Sequence, residues 1–146
     1  MFRGRHTHTI DAKGRVSIPA GFRSEITMRS ETAPILTNDK GCLALYANED
    51  WVEIEENLTA QSQVRPETKA YIRFVVSGAT EVGFDSQGRI LVPQHLRDHA
   101  HLEREVTIAG VGNRIEIWDK ALFDQELQRT LAQFDEIASV VASSES

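Results

Sequence analysis

The stretch that decides the fold occurs twice in the chain, first as Ile10-Asp11-Ala12-Lys13-Gly14-Arg15-Val16-Ser17-Ile18-Pro19 and again as Phe84-Asp85-Ser86-Gln87-Gly88-Arg89-Ile90-Leu91-Val92-Pro93. The two motif aspartates, Asp11 and Asp85, lie 74 positions apart. Each copy is followed by an apolar residue and an arginine, in Phe22-Arg23 and Leu96-Arg97. A second match, at a spacing of 72, aligns residues 43–51 with 115–123. Such a repeat marks one supersecondary unit used twice, so the sequence predicts two similar units in tandem.

The five residues from aspartate to arginine predict a tight turn between two strands. A three-residue hairpin loop ends on a residue in the left-handed conformation, and Gly14 and Gly88 occupy that place, where glycine avoids a Cβ clash. The aspartate then faces the arginine across the hairpin, where opposite charges contribute roughly 0.2–1 kcal/mol. We interpret the following as structural residues of the two turns: Asp11, Gly14, Asp85, Gly88 and Arg89.

Hydrophobic spacing gives both units the same order of elements: strand, turn, strand, short helix, two strands and a longer helix. A short helix is predicted from Pro19, and a second one from Asn48, a favoured N-cap. Proline suits a first helical turn, so a linker helix is predicted over Pro66–Ser77. The last helix of the second unit is predicted to begin at Asp119. The strands of the first unit are expected at 5–10, 15–18, 32–37 and 42–46.

These elements divide the chain into four segments. The first unit covers 1–60, with its motif core at about 5–48, and the linker helix lies in 61–78. The second unit covers 79–137, with its motif core at about 79–120. Residues 138–146 are rich in serine and are expected to form a flexible tail.

Composition indicates an ordinary globular protein. The 146 residues are 40% hydrophobic and 26% charged, with a formal net charge of −6, which by itself counts against binding to nucleic acid. The charge is uneven, however. Residues 1–30 hold six basic and two acidic residues, a net charge of +4, whereas the other 116 residues hold ten basic and twenty acidic, a net charge of −10. The local field near the N-terminal end is therefore suited to a polyanion.

Strand alternation predicts where these cations lie. If 5–10 and 15–18 form a hairpin, the residues that share a face with Asp11 include Arg3, Arg5 and Arg15, with Lys13 at the tip. This face would be one exposed strip of phosphate-seeking donors. The corresponding face of the second unit carries Glu81, Gly83, Asp85 and Arg89, which offer little to hold DNA, and an outward Leu91, which we expect at a subunit contact.

Other chemistry has little support in the sequence. His95 and His99 have the i, i+4 spacing of a metal pair, but a third ligand is missing from the pattern, so no metal and no cofactor are predicted. The lone Cys42 has no partner for an internal disulfide and is interpreted as a small buried residue, which fits a cytosolic setting. No apolar run approaches the roughly 20 residues of a membrane span. We predict that the protein is not an enzyme.

In its two repeated motifs the chain resembles the MraZ family of bacterial transcriptional regulators. Chains of this family carry two SpoVT-AbrB-like units, each with an Asp-x-x-x-Arg motif. The resemblance rests on Met1-Phe2-Arg3-Gly4, on both motifs, and on the Pro and Arg residues that follow them. It implies an α+β, mainly β fold: a swapped-hairpin AbrB-like double barrel formed by two tandem pseudo-symmetric units.

The resemblance also implies a function. Members of the family form ring-shaped homo-oligomers and bind repeated boxes of double-stranded DNA in the promoter of the division and cell wall gene cluster, which includes their own gene. By this analogy Arg15 is the leading DNA-contact candidate, with Lys13 and Arg3 beside it. Arg5 is added by strand alternation alone. The expected location is cytoplasmic and nucleoid-associated.

A second hypothesis is an oligomeric scaffold or protein-binding module without DNA specificity. Its basic face would meet an acidic protein, and Leu91, Trp51 and Phe123 would be contact residues. Nucleic acid that co-purifies with the protein would favour the first hypothesis.

Overall fold

The computed structural model describes residues 1–144. The first half of the chain forms, in order, β1 (Phe2–Thr9), β2 (Arg15–Ser17), α1 (Ala20–Arg29), β3 (Ile35–Asp39), β4 (Cys42–Tyr46), α2 (Asn48–Thr59) and α3 (Pro66–Ser77). The second half forms β5 (Thr80–Glu81), β6 (Arg89–Leu91), α4 (Gln94–Ala100), β7 (Glu105–Gly112), β8 (Arg114–Asp119), α5 (Lys120–Ala132) and α6 (Phe134–Ser144). The seven elements of the second half repeat the order of the seven in the first.

The strands form one antiparallel sheet of six, in the order β1-β7-β8-β4-β3-β5, and one ribbon of two, β2-β6. The strands that correspond in the two units are β1 and β5, β2 and β6, β3 and β7, and β4 and β8. Exchanging each strand for its counterpart reverses the order of the large sheet and leaves every pairing in place. The two halves are therefore related by a pseudo-two-fold axis that passes between β4 and β8. The fold is mixed α/β, built around this sheet, and the two repeats are interleaved within it.

The predicted hairpin between β1 and β2 is wrong. All eight residues of β1 pair with β7, with Phe2 opposite Gly112 and Thr9 opposite Glu105. An isolated bridge between Ile10 and Val16 is what remains of the hairpin at the turn. The pairing with β7 offers eight residue pairs, whereas β2 is three residues long, so the longer ladder determines the partner of β1. Alternation in a sequence predicts which side chains share a face, but not which strand lies alongside.

The main core lies on one face of the six-stranded sheet, where the ribbon and helices α1 and α4 cover it. Each sheet layer contributes side chains that are fully buried there, including Leu45 and Ile117 from the centre of the large sheet and Val16 and Ile90 from the ribbon. Burying each such side chain contributes roughly 1.5–3 kcal/mol. A smaller cluster beneath α2 and α3, on Trp51 and its neighbours, covers part of the opposite face.

The helix boundaries largely follow the predicted signals. Pro19 is the N-cap of α1, Pro66 opens α3, and the Asp119 carboxylate accepts the Leu122 N–H at 3.0 Å at the start of α5. The N-cap of α2 is Ala47 instead of Asn48, which is the first helical residue and whose side-chain amide donates to the Ala33 carbonyl at 3.3 Å.

Residues 138–144, which the sequence assigns to a flexible tail, belong to α6 in the structure, and their flexibility stays a prediction. Apolar residues at Ile137, Val140 and Val141 follow helical spacing, and Asp135 and Glu136 favour the positive end of the helix dipole. None of the residues of α6, all of them described, is buried. The rest of the predicted tail, 145 and 146, lies outside the described residues. Among the described helices, none is long and apolar enough to cross a membrane.

Candidate nucleic-acid interface

The β2–β6 ribbon brings the two copies of the motif side by side. Its register pairs Arg15 with Leu91, Val16 with Ile90, and Ser17 with Arg89. Val16 and Ile90 are fully buried, so the other two pairs lie on the opposite side of the ribbon, which faces outward. We refer to the outward side chains of this ribbon as the ribbon face: Arg15, Ser17, Arg89 and Leu91.

Each aspartate of the motif closes its turn and holds its arginine. One oxygen of Asp11 accepts the backbone N–H groups of Lys13 at 3.0 Å and Arg15 at 2.8 Å, while the other contacts the Arg15 Nε at 2.6 Å. Asp85 repeats this pattern, and its contact with the Arg89 Nε is 2.9 Å. The ion pairs use Nε, so the terminal nitrogens of each guanidinium are not part of this contact. The predicted Asp–Arg contacts are confirmed in both turns.

The turn glycines meet arginines from the other unit. Gly14 and Gly88 have φ of +92° and +76°, in the left-handed region as predicted. A Cβ at Gly14 would lie 2.7 Å from the Arg97 Nε, and a Cβ at Gly88 would overlap the Arg23 guanidinium. The backbones of the two units also meet here, since the Val92 N–H donates to the Gly14 carbonyl at 2.8 Å.

Arg23 and Arg97 therefore belong to the candidate site, although the sequence pattern alone indicates no role for them. Arg23 donates through Nη1 to the Ile18 carbonyl at 2.5 Å, which holds its side chain beside the second turn. The signal that could have identified both arginines is their recurrence at one distance after each motif. Their partners could not be predicted, because each contacts the turn of the other unit.

The predicted basic strip is divided in the structure. Lys13 is exposed at the first turn, and Arg15 is half-buried on the ribbon face. Arg3 and Arg5 are exposed on β1, but at about 3.3 Å per residue Arg5 lies roughly 20 Å along the strand from Asp11. The Arg5 guanidinium also lies over the Phe123 ring of α5, 5.7 Å from its centroid. The four cations thus form two groups, and their contact with DNA stays a prediction.

Comparison with known proteins agrees with the two-fold repeat. A family model described as "MraZ protein, putative antitoxin-like" matches residues 1–74 and, again, residues 75–140. The chain belongs to the MraZ family. It is 42% identical to the transcriptional regulator MraZ of Caldanaerobacter subterraneus subsp. tengcongensis and 43% identical to that of Thermoanaerobacter pseudethanolicus, in each case over 94% of both chains. The transcriptional regulator MraZ of Moorella thermoacetica is 41% identical over the same share.

The boundary between the two MraZ units falls inside α3. The first match ends at residue 74, and α3 packs its buried Val75 against the sheet at that point. Side chains of β3 bind the end of this helix, since the Thr37 hydroxyl donates to the Val75 carbonyl at 2.6 Å and the Asn38 amide to the Phe74 carbonyl at 2.9 Å. The predicted linker helix is thus fixed to the first MraZ unit and leads directly into β5.

The turn carboxylates of both MraZ units have lowered pKa values. The pKa of Asp11 is lowered to about 2, mainly because its carboxylate accepts the Arg15 backbone N–H, and the Arg15 guanidinium adds to the effect. The pKa of Asp85 is lowered for the same reason, by the backbone N–H of Arg89. Both carboxylates are ionised at neutral pH, so each can hold its arginine in place.

Acid is expected to remove the contribution of the ionised Asp11 carboxylate to stability, which comes mainly from the hydrogen bond that it accepts from the Arg15 backbone N–H. The pKa of Asp11 is about 2 in the folded chain and roughly 3.9 when unfolded, so this contribution is complete above pH ~4 and is lost as the pH falls through ~2. Urea unfolding of the wild type and of Asp11→Asn should therefore differ by a constant amount between about pH 7 and 5, and by progressively less towards pH 2. A difference that does not change with pH would contradict a stabilising role for the ionised Asp11 carboxylate.

The remaining candidate residues serve packing. Burial raises the pKa of the Cys42 thiol, with the charges of Glu116 and Asp39 adding to the effect, so Cys42 is a buried thiol as predicted. One possible metal-ligand atom from each of Asp39, Cys42 and Glu116 lies within 4.8 Å of the other two. The Glu116 carboxylate, however, already accepts hydrogen bonds from Arg114 at 2.7 Å and from the Trp118 Nε1 at 2.9 Å.

The two histidines of α4 are separated in role. The His99 Nε2 lies 2.6 Å from the Asp39 carbonyl oxygen, and its ring packs edge-on against Phe74 at 5.4 Å. His95 is exposed. His99 therefore anchors α4 to the end of β3.

Proposed function

We propose that this chain is a sequence-specific double-stranded DNA-binding regulator of transcription, and that it contacts DNA with the ribbon face and the two adjoining turns. One observation carries the proposal: the β2–β6 pairing places Arg15 and Arg89 on one outward face, each held by its own aspartate. Because the two arginines are diagonal neighbours in an antiparallel pair, their Cα atoms are expected about 7–8 Å apart. A two-stranded ribbon fits the major groove, where arginine pairs with guanine. The relatives named as transcriptional regulators support this function.

The charges around the ribbon favour a polyanion. Lys13 and Arg15 come from the first unit and Arg89 from the second, while Arg23 and Arg97 lie against the turn glycines. These five positive side chains outnumber the two motif aspartates beside them. The local field is therefore positive although the chain carries a net charge of −6. The proposal therefore gives the second motif a share in DNA contact, where the sequence alone suggested a structural role.

The target follows from the family resemblance. We propose repeated boxes in the promoter of the division and cell wall gene cluster, including the chain's own gene, as the site of action, with the protein located in the cytoplasm on the nucleoid. The finer architecture we propose is a swapped-hairpin barrel, since the cross-unit pairing of β2 with β6 supports it. A ring-shaped homo-oligomer would present several ribbon faces at fixed spacing, and binding of linked sites would raise the overall affinity.

The salt dependence of binding tests this function. A fragment from upstream of the chain's own gene that contains the repeats, and a fragment of equal length with the repeats scrambled, are titrated with the protein at several salt concentrations. We expect tighter binding to the repeats and a linear fall of log K with log salt, because phosphate contacts release counterions. Equal affinity for both fragments, or affinity that does not change with salt, would reject the proposal.

The outer face of α6 supports assembly into an oligomer. Four apolar side chains of this helix are 38–68% exposed: Phe134, Ile137, Val140 and Val141. A contiguous exposed apolar surface typically marks a contact with another protein. The same observation favours the alternative function, an oligomeric protein-binding module, which would leave the DNA titration negative.

A charge on α6 is expected to reduce the assembly size without unfolding the protein. Val140→Asp should shift the mass measured by light scattering to a smaller species, because it places a carboxylate within the apolar surface. Its melting temperature should change little, since α6 has no buried residue. Ser139→Asp adds the same charge at a neighbouring exposed position and serves as the matched control. If both variants keep the wild-type mass, α6 does not form the subunit contact.

A further inference from the structure

Leu91 is an apolar side chain on a face that is otherwise polar. It is 58% exposed, while its neighbours Ile90 and Val92 are fully buried. Backbone hydrogen bonds join Val92 to Gly14 and Ile18 to Gly88, and because pair types alternate along an antiparallel ladder, Arg15–Leu91 and Ser17–Arg89 are pairs of the non-hydrogen-bonded type. In such pairs the Cα atoms are about 4.5 Å apart and the side chains lie close together. Leu91 thus stands directly beside the Arg15 side chain.

Leu91 breaks the symmetry of the ribbon face. The pseudo-two-fold relation that exchanges Arg15 with Arg89 also exchanges Ser17 with Leu91, since both pairs are 74 positions apart. One arginine therefore has an apolar neighbour, and the other has a hydroxyl. A fully symmetric face would read a palindromic element equally in both directions. The real face is chemically different at its two ends.

The major groove offers one apolar group, the C5-methyl of thymine, while guanine offers the O6 and N7 acceptors that arginine reads. Extending the proposed DNA-binding function, we infer that Leu91 contacts the methyl group of a thymine beside the guanine read by Arg15. Ser17, next to Arg89, can hydrogen-bond to any base edge and makes no such demand. Leu91 is then a specificity-determining residue, and it sets the direction in which the ribbon face lies on each box.

Replacing thymine with uracil tests this inference, because it removes the methyl group and leaves every hydrogen-bonding atom unchanged. The wild type is titrated with the repeat-containing fragment and with the same fragment carrying deoxyuridine throughout the repeats. We expect the uracil fragment to bind three- to fivefold more weakly for each methyl group that is contacted. This factor corresponds to the free energy of burying one such group. Leu91→Ala should bind both fragments equally. Leu91→Met, which keeps an apolar side chain, should restore the preference for thymine.

Each other outcome is decisive. A wild type that binds both fragments equally, or a Leu91→Ala variant that keeps the preference, overturns the inference while leaving the DNA-binding function in place. A lower mass for Leu91→Ala in light scattering would overturn it in favour of a subunit contact. Loss of salt-dependent binding to either fragment by the wild type would instead reject the DNA-binding function itself.

Discussion

Arg15→Ala is expected to weaken binding of the repeat-containing promoter fragment by roughly 10- to 100-fold, because one well-oriented arginine contact to a base contributes about 1–3 kcal/mol. Asp11 pre-orients the guanidinium through its Nε contact at 2.6 Å, so little side-chain freedom remains to be lost on binding. The preference for the repeats over the scrambled fragment should fall together with the affinity. Titration of both fragments at one salt concentration measures the two effects.

Two matched variants separate this role from general charge. Arg15→Lys keeps the charge but loses the planar donor fork and the contact geometry with Asp11, so its affinity should remain low. Arg5→Ala removes a cation that lies on β1 and is already engaged with Phe123, so it should cost a few-fold at most and affect both fragments alike. If Arg15→Lys binds like the wild type, or if Arg5→Ala is the more damaging change, the ribbon face is not the reading surface.

Arg89→Ala tests whether the second motif also contacts DNA. Its guanidinium is held by Asp85 in the same way, and it lies diagonally across the ribbon from Arg15. The sequence alone favoured a structural role for this motif, because Gln87 stands where the first motif has Lys13. The pairing of β2 with β6 changes that expectation, since it places both arginines on one face.

The parts of the fold that the sequence predicted correctly are local. The turn at each motif, its glycine and its Asp–Arg pair depend on residues four positions apart, so the pattern specifies them. The start of α3 at Pro66 and the cap of α5 at Asp119 are equally local signals. In these places the residue types and the spacing suffice to determine the geometry.

The parts that the sequence did not predict are long-range. The partner of β1 is β7, about a hundred residues away, and the alternation of β1 is compatible with either neighbour. For the same reason the contacts of Arg23 and Arg97 with the opposite turns could not be anticipated. Strand alternation predicts that Arg5 shares a face with Asp11, but it does not shorten the roughly 20 Å along the strand that separates them. Helical spacing at the C-terminal end was present, but its serines were read as disorder.

The interleaving of the two units predicts the largest effect on stability. Gly110 of β7 lies directly opposite Gly4 of β1, and the backbone there passes very close. A Cβ at Gly110 would overlap the backbone nitrogen of Arg3 and lie 2.6 Å from the Phe2 carbonyl carbon. Backbone atoms cannot rotate away as a side chain can, so the two strands would have to separate.

Gly110→Ala is therefore expected to lower the free energy of unfolding by about 3 kcal/mol or more, the upper range for overpacking. For a chain of this size the melting temperature should fall by roughly 6–12 °C. Gly83→Ala is the matched control, because a Cβ at Gly83 meets no atom within 4 Å and the backbone there is not left-handed. It should leave the melting temperature unchanged or slightly raised, since alanine reduces the freedom of the unfolded chain. Equal stability of the two variants would show that β1 does not depend on close contact with β7, and that the first strand of one unit is not locked into the sheet by the other.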